Sequence, residues 1–163
     1  MASSKTKKAG RKPYDELSDD EKIQKNWNKA LGLYDRGEWS VAILRCATCL
    51  ELAVNFAIRE ELAGERNLPL LFVDKLLRSA NGIHSKYNNI YLPIMDEYRE
   101  VEDLKRLWSD HVMKVNEERN GVAHRGEFRG KVKALTVMSH TQAALLSLLD
   151  LHGSKAKLKA LDT

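Results

Sequence analysis

Residues 40–59 read S-V-A-I-L-R-C-A-T-C-L-E-L-A-V-N-F-A-I-R, and the fold turns on what this run is. Val41, Ala42, Ile43, Ala47, Leu50, Leu52, Ala53, Val54, Phe56, Ala57 and Ile58 would cover most of the circumference of a helix spanning about Trp39 to Ala63. A helix apolar on most sides is central in a bundle or shared between subunits. The polar remainder, Arg45, Thr48, Glu51, Asn55 and Arg59, falls within about a third of that circumference at roughly 100° per residue. This stripe either faces solvent or, through Glu51 and Asn55, looks into a functional cleft and supports it.

Outward from this run the pattern stays helical. Ser18 with Glu21 three residues on makes a capping box. Ile23, Trp27, Leu31 and Tyr34 then recur at helical spacing until Arg36-Gly37 ends the element. On the other side Gly64 closes the central helix, and Pro69 sits at a first-turn position of a short third helix. Leu70, Val73, Leu77 and Ala80 line that helix, and Gly82 terminates it. His84 to Leu92, polar and aromatic, reads as a loop with a partial turn. A long helix follows from Pro93, with Ile94, Tyr98, Val101, Leu104, Trp108, Val112 and Val115 facing the core. A last helix spans about Val132 to Leu151. The expected architecture is all-α, an up-and-down bundle of about five helices over residues 17–152. A disordered basic tail, 1–16, precedes it, and a frayed end, 153–163, follows.

Composition narrows the function classes. A chain of 163 residues makes one domain, large enough to bury about two-thirds of its unfolded surface. No apolar run approaches the roughly 20 residues that cross a bilayer, so no membrane partner is expected. The N-terminus is positive but has no apolar segment behind it, unlike a secretory signal, and a cytoplasmic address follows by default. The formal charge is +4, and Lys5, Lys7, Lys8, Arg11 and Lys12 all precede the first acid, Asp15. Removing those five leaves the body at −1, without the basic bias of a nucleic-acid surface. The tail is either a solvated segment or a source of weak, salt-sensitive attraction to RNA. Cys46 and Cys49 form C-A-T-C within the apolar run, with no second pair elsewhere; they read as two small core residues rather than as a redox or zinc motif.

The stretch Glu117 to Phe128, E-E-R-N-G-V-A-H-R-G-E-F, is the one place where chemistry-bearing residues crowd. Arg119 is followed directly by Asn120, and His124 stands five positions after Arg119, at the end of the long helix and before a glycine-rich break. Here the sequence resembles the HEPN superfamily of small all-α domains, whose pattern is Arg, a polar residue (often Asn), a few residues, then His. The order of helices and the acid inside the apolar helix, C-L-E-L-A-V-N, are also similar. The resemblance implies a metal-independent endoribonuclease, often a toxin or defence effector, acting as a homodimer with two motifs along one groove. It implies RNA as substrate, Arg119, Asn120 and His124 as catalytic residues, and a partner such as an antitoxin or regulatory protein. Other members have lost catalysis and serve as dimerisation or regulatory modules that bind a protein or nucleotide, which is the alternative.

The chemistry can be argued without the family. RNA carries its own nucleophile, the ribose 2′-hydroxyl, so neither metal nor cofactor is required if a base removes its proton. An imidazole with an ordinary pKa near 6.5 takes or gives a proton at neutral pH. A guanidinium offers a rigid fork of donors to the phosphoryl oxygens. Asn120 would fix the His124 tautomer or hold a ribose or phosphate oxygen. Arg125 and Arg129 flank the motif as RNA-binding candidates or as solvated charge. An ideal helix sets Arg119 and His124 about 140° apart, so either Gly121 breaks the helix between them or a twofold partner completes the site. The bland reading pairs Arg119 with an acid such as Glu117 or Glu118 and leaves His124 as a helix cap. His84, His111, His140 and His152 lack metal-ligand spacing, so no metal site is expected; His111 alone is placed to approach the cleft.

Overall fold

The computed structural model describes residues 10–162. A single 3-10 turn, Tyr14–Glu16, leads into α1, Asp19–Asp35. Ser18 and Glu21 close the capping box reciprocally: the Glu21 amide donates to Ser18 Oγ at 3.2 Å, and the Ser18 amide donates to Glu21 Oε2 at 2.7 Å. Gly37, at φ +77°, supplies the left-handed step that reverses the chain into α2, Trp39–Arg59. A wide π-type turn, Glu60–Glu65, extends α2. Then come α3, Leu70–Ser79; α4, Gly82–Ser85, running through a second π-type turn, Lys86–Tyr91, into α5, Leu92–Met95. The chain bends and resumes as α6, Val101–Leu107, whose π-type turn Trp108–Val112 joins it to α7, Met113–Arg125. The final helix, α8, is Lys131–Leu151.

These segments form six helical rods packed as an all-α bundle around α2, which lies against α1, α7 and α8. Ala42, Ile43, Cys46, Cys49, Leu50, Ala53, Val54, Ala57 and Ile58 are fully buried, so neighbours do cover most of the circumference of α2. Cys46 and Cys49 are unpaired core residues, and burial pushes the Cys46 thiol up to about 12. The helix through Glu65 is long and apolar enough to cross a membrane, contrary to the expectation that no run approaches that length. Its apolarity has a local cause, since a helix enclosed on three sides by other helices needs apolar residues on three sides.

The segment read as a loop is helical. Tyr87 and Tyr91, one turn apart, are both fully buried; Tyr87 donates its hydroxyl to the Leu104 carbonyl at 2.8 Å. Packing of those two rings overrides the polar residues between them. Pro93 then lies within a rod rather than opening one. It cannot donate to the preceding turn, and the π-type turn immediately before it absorbs that mismatch. The long helix begins at Val101 instead. The stretch Asp96–Glu100 turns away, with Tyr98, expected in the core, left 36% exposed and donating to Glu61 Oε2 at 3.2 Å.

The C-terminal end departs from expectation. Of the tail, residues 1–9 lie outside the described residues. The end read as frayed is instead a strap across α1: Trp27 Nε1 donates to the Lys159 carbonyl at 2.8 Å, and Ala156, Leu158 and Leu161 pack on the core. Ser154 donates to Asp20, and the Lys155 amide donates to Asp20 Oδ2 at 3.2 Å. Three apolar residues, two and three positions apart in A-x-L-x-x-L, give this segment something to bury despite its lysines.

The strap begins beside a buried polar cluster. His152, its side chain 3% exposed, shares a 2.7 Å hydrogen bond through Nε2 with the Tyr91 hydroxyl, and its Nδ1 lies 3.6 Å from Glu61 Oε1. Burial lowers the His152 pKa to about 4. The unfolded chain therefore takes up a proton near pH 6.5 that the folded chain refuses until about pH 4. Stability is full above pH 6.5 and falls as pH drops toward 4 by about 1.4 kcal/mol per pH unit from this group. Urea unfolding of wild type and His152→Gln at pH 7 and pH 4.5 checks it: the loss between the two pH values shrinks in the variant. An equal loss in both proteins overturns the assignment.

Candidate functional site

α7 carries Arg119, Asn120 and His124 on its last two turns. The helix is unbroken through Arg125, so Gly121 does not act as the break considered above. The angular gap is crossed by the long Arg119 side chain. Its Nη1 donates to Asn120 Oδ1 at 2.9 Å and lies 2.9 Å from His124 Nε2. A guanidinium N–H only donates, so Nε2 must accept. The Nε2 lone pair, the one a base would use, is therefore what faces the guanidinium. Asn120 steadies the guanidinium, not the imidazole.

His124 is exposed and Arg119 half-buried. Among the described residues no carboxylate lies within ion-pair distance of Arg119. Glu118, the nearest rival partner, is engaged by Arg129 and by Lys133 at 3.1 Å. Burial opposes its ionisation, but hydrogen bonds from Arg129 and Lys133 carry its pKa below the ordinary value. The bland pairing of Arg119 with Glu117 or Glu118 is not what the chain adopts.

The two flanking arginines are less free. After Gly126, which ends α7 at φ +64°, the chain returns the Glu127 amide to the Gly121 carbonyl at 3.1 Å. Glu127 then sits between Arg125, bonded through Nε at 2.7 Å, and Arg129. Hydrogen bonds from Arg125 and then Arg129 hold its carboxyl down at about 2. This cluster lies over Gly121, where an added Cβ would stand 2.6 Å from Arg129 Nη2. A larger residue at 121 would therefore dislodge it. Arg125 and Arg129, expected as phosphate contacts, are neutralised internally. The sequence reading missed Glu127 altogether. Its signal is R-x-E-x-R spanning a helix stop, where a carboxylate stands two residues from each of two guanidinium groups.

Among the described residues neither Glu51 nor Asn55 makes a hydrogen bond or ion pair with Arg119, Asn120 or His124. The Arg129 amide donates to Ser40 Oγ at 2.9 Å, which fixes the motif loop at the start of α2. Glu51 and Asn55 stand eleven and fifteen residues further along, about 16 and 22 Å by helical rise. Glu51 instead pairs with buried Lys86 at 2.6 Å, and Asn55 Oδ1 is buried with no hydrogen-bond partner among the described residues. His111 does not approach the motif either. It meets His140 of α8, Nδ1 to Nδ1 at 2.9 Å, eight residues before Arg119. A hollow against α7, lined by Lys114, Glu117, Glu118 and His140, does not take in Arg119, Asn120 or His124. The motif presents itself on an open face.

Fold and site together define an all-α helical bundle that displays a bonded Arg-Asn-His cluster at a helix end. No family model matches the chain, and comparisons with curated proteins and with solved structures find no match either.

Proposed function

We propose that this chain is a HEPN-like, metal-independent endoribonuclease acting through Arg119 and His124. One observation carries the reading: the Arg119 guanidinium, unclaimed by any described carboxylate, is bonded to an exposed imidazole. With RNA present, Arg119 turns its donors onto a phosphoryl oxygen and leaves His124 Nε2 free. Nε2 takes the proton of the ribose 2′-hydroxyl, O2′ forms a bond to phosphorus, and the bond from phosphorus to O5′ breaks. The departing O5′ takes a proton from an imidazolium. One chain brings a single imidazole to the site, so the acid is the His124 of a second copy in a homodimer. The products are a 2′,3′-cyclic phosphate and a 5′-hydroxyl, with no water consumed.

Incubation with synthetic RNA in EDTA tests the reading. Cleavage with cyclic-phosphate ends is expected, and a substrate with a single 2′-deoxy residue at the cleaved position stays whole. Cleavage of that deoxy substrate, or none of RNA, overturns it.

A second reading, a non-catalytic dimerisation or regulatory module binding a protein or nucleotide partner, is favoured by the surface next to the motif. Phe128 is 92% exposed and Val132 81% exposed, a greasy pair unsuited to open water. Oligomerisation abolished by Phe128→Asp without any RNA cleavage in the parent would select it.

A further inference from the structure

We propose that the outer face of α1 is a docking site for single-stranded nucleic acid, built on Tyr14 and the cations around it. A hollow of about 580 Å³ opens between this face and the segment leading into it. Four cations, Arg11, Lys12, Lys25 and Lys29, line it against one carboxylate, Glu21. That carboxylate is already committed: it accepts the Ser18 amide of the capping box and, at 3.4 Å, Lys12. Among the described residues, Arg11, Lys25 and Lys29 have no carboxylate within ion-pair distance. Like charges gathered in a concave surface raise a focused positive potential there. Asp15, Glu16, Asp19 and Asp20 border the same stretch, but none of them lines the hollow.

Tyr14, outside the lining of the hollow but sharing Lys25 with it, decides the kind of polyanion. Its ring is 42% exposed but not loose. Asn26 Nδ2 donates to its hydroxyl at 2.8 Å, and Arg45 of α2 holds Asn26 Oδ1 at 2.9 Å. The ring is therefore anchored by a network spanning two helices. The ammonium groups of Lys22 and Lys25 lie over it, 5.7 and 5.4 Å from its centroid, and swing aside onto the phosphates when a base stacks. An anchored, open aromatic ring bordered by cations is what a base can stack on while its phosphates meet the lysines. An acidic peptide would use the cations and gain nothing from the ring. A duplex would offer phosphates but keep its bases stacked on one another. A single strand uses both.

The site does not depend on cleavage: a chain that cuts nothing keeps it, and a nuclease without it keeps its chemistry. The test uses the full chain carrying His124→Ala, so that a labelled single-stranded oligoribonucleotide survives, with anisotropy read across a salt series. Binding weakens with salt. Tyr14→Ala raises Kd about 5- to 100-fold, as loss of a stacked base does. Tyr14→Phe, which keeps the ring, stays near the parent and controls for folding. Lys25→Gln with Lys29→Gln lowers the log–log salt slope by about 1.4, as loss of two single-strand phosphate contacts does. The proposal is overturned if the parent binds no single strand, or if Tyr14→Ala and the lysine pair both bind like the parent. Displacement of the probe by polyglutamate or by duplex as readily as by unlabelled single strand overturns it too.

Discussion

Replacing His124 with Ala lowers RNA cleavage in EDTA by about 10²- to 10⁴-fold, the usual loss when a positioned acid or base is removed. His124 is exposed at the last turn of α7 and packs into nothing, so the melting curve stays where it was. Arg119→Ala falls into the same range for a different reason. It removes the donor that sits on Nε2 in the resting chain and the charge that would meet the phosphoryl oxygen. Arg119→Lys recovers little, because an ammonium cannot reproduce the planar fork that spans Asn120 and His124. Equal cleavage by wild type and both alanine variants identifies a contaminating nuclease and removes the catalytic reading. The measurement is an initial rate on a labelled oligoribonucleotide.

Trp27→Ala destabilises the fold by about 3–5 kcal/mol, the range for truncating a large aromatic in a packed core. Trp27 is fully buried between α1 and α2, so its removal leaves a cavity that rigid helices cannot close. The same change removes the donor to the Lys159 carbonyl and with it one of the bonds that seat the strap. Trp27→Phe keeps most of the ring volume but not the N–H, and is expected to lose roughly 1–2 kcal/mol. Denaturant midpoints of the three proteins separate cavity from hydrogen bond. A loss below about 1 kcal/mol for the alanine variant would mean that the helix is not seated as described.

Much of this arrangement was legible in the residues because the signals are local. The capping box at Ser18, the reversal at Gly37 and the nearly all-apolar circumference of α2 each follow from spacing within a few positions. Residues 82–95 were not legible, because their helicity comes from two tyrosines buried by partners in other rods. The C-terminal strap failed for the same reason: its lysines advertise solvent while three interspersed apolar residues find the core. At the site, Arg119 and His124 were identifiable by type and order. How they meet was not, since the helical wheel knows the direction of a Cβ and nothing of a guanidinium at the far end of a flexible side chain. Glu51 and Asn55 were drawn to the site by their stripe on α2, and only the position of Ser40 under the motif loop shows how far along that helix they lie.

The three π-type turns, at Glu60–Glu65, Lys86–Tyr91 and Trp108–Val112, have a bearing on kinship. Each works as one extra residue slipped into a helical ladder, which turns everything downstream by about 100°. Two related chains that differ in such an insertion share a bundle yet disagree in phase from that point on. Aligning this chain without a one-residue gap in Trp108–Val112 would lay the inward positions of α7 over another protein's outward ones, and Arg119 with His124 would fall out of register with any counterpart.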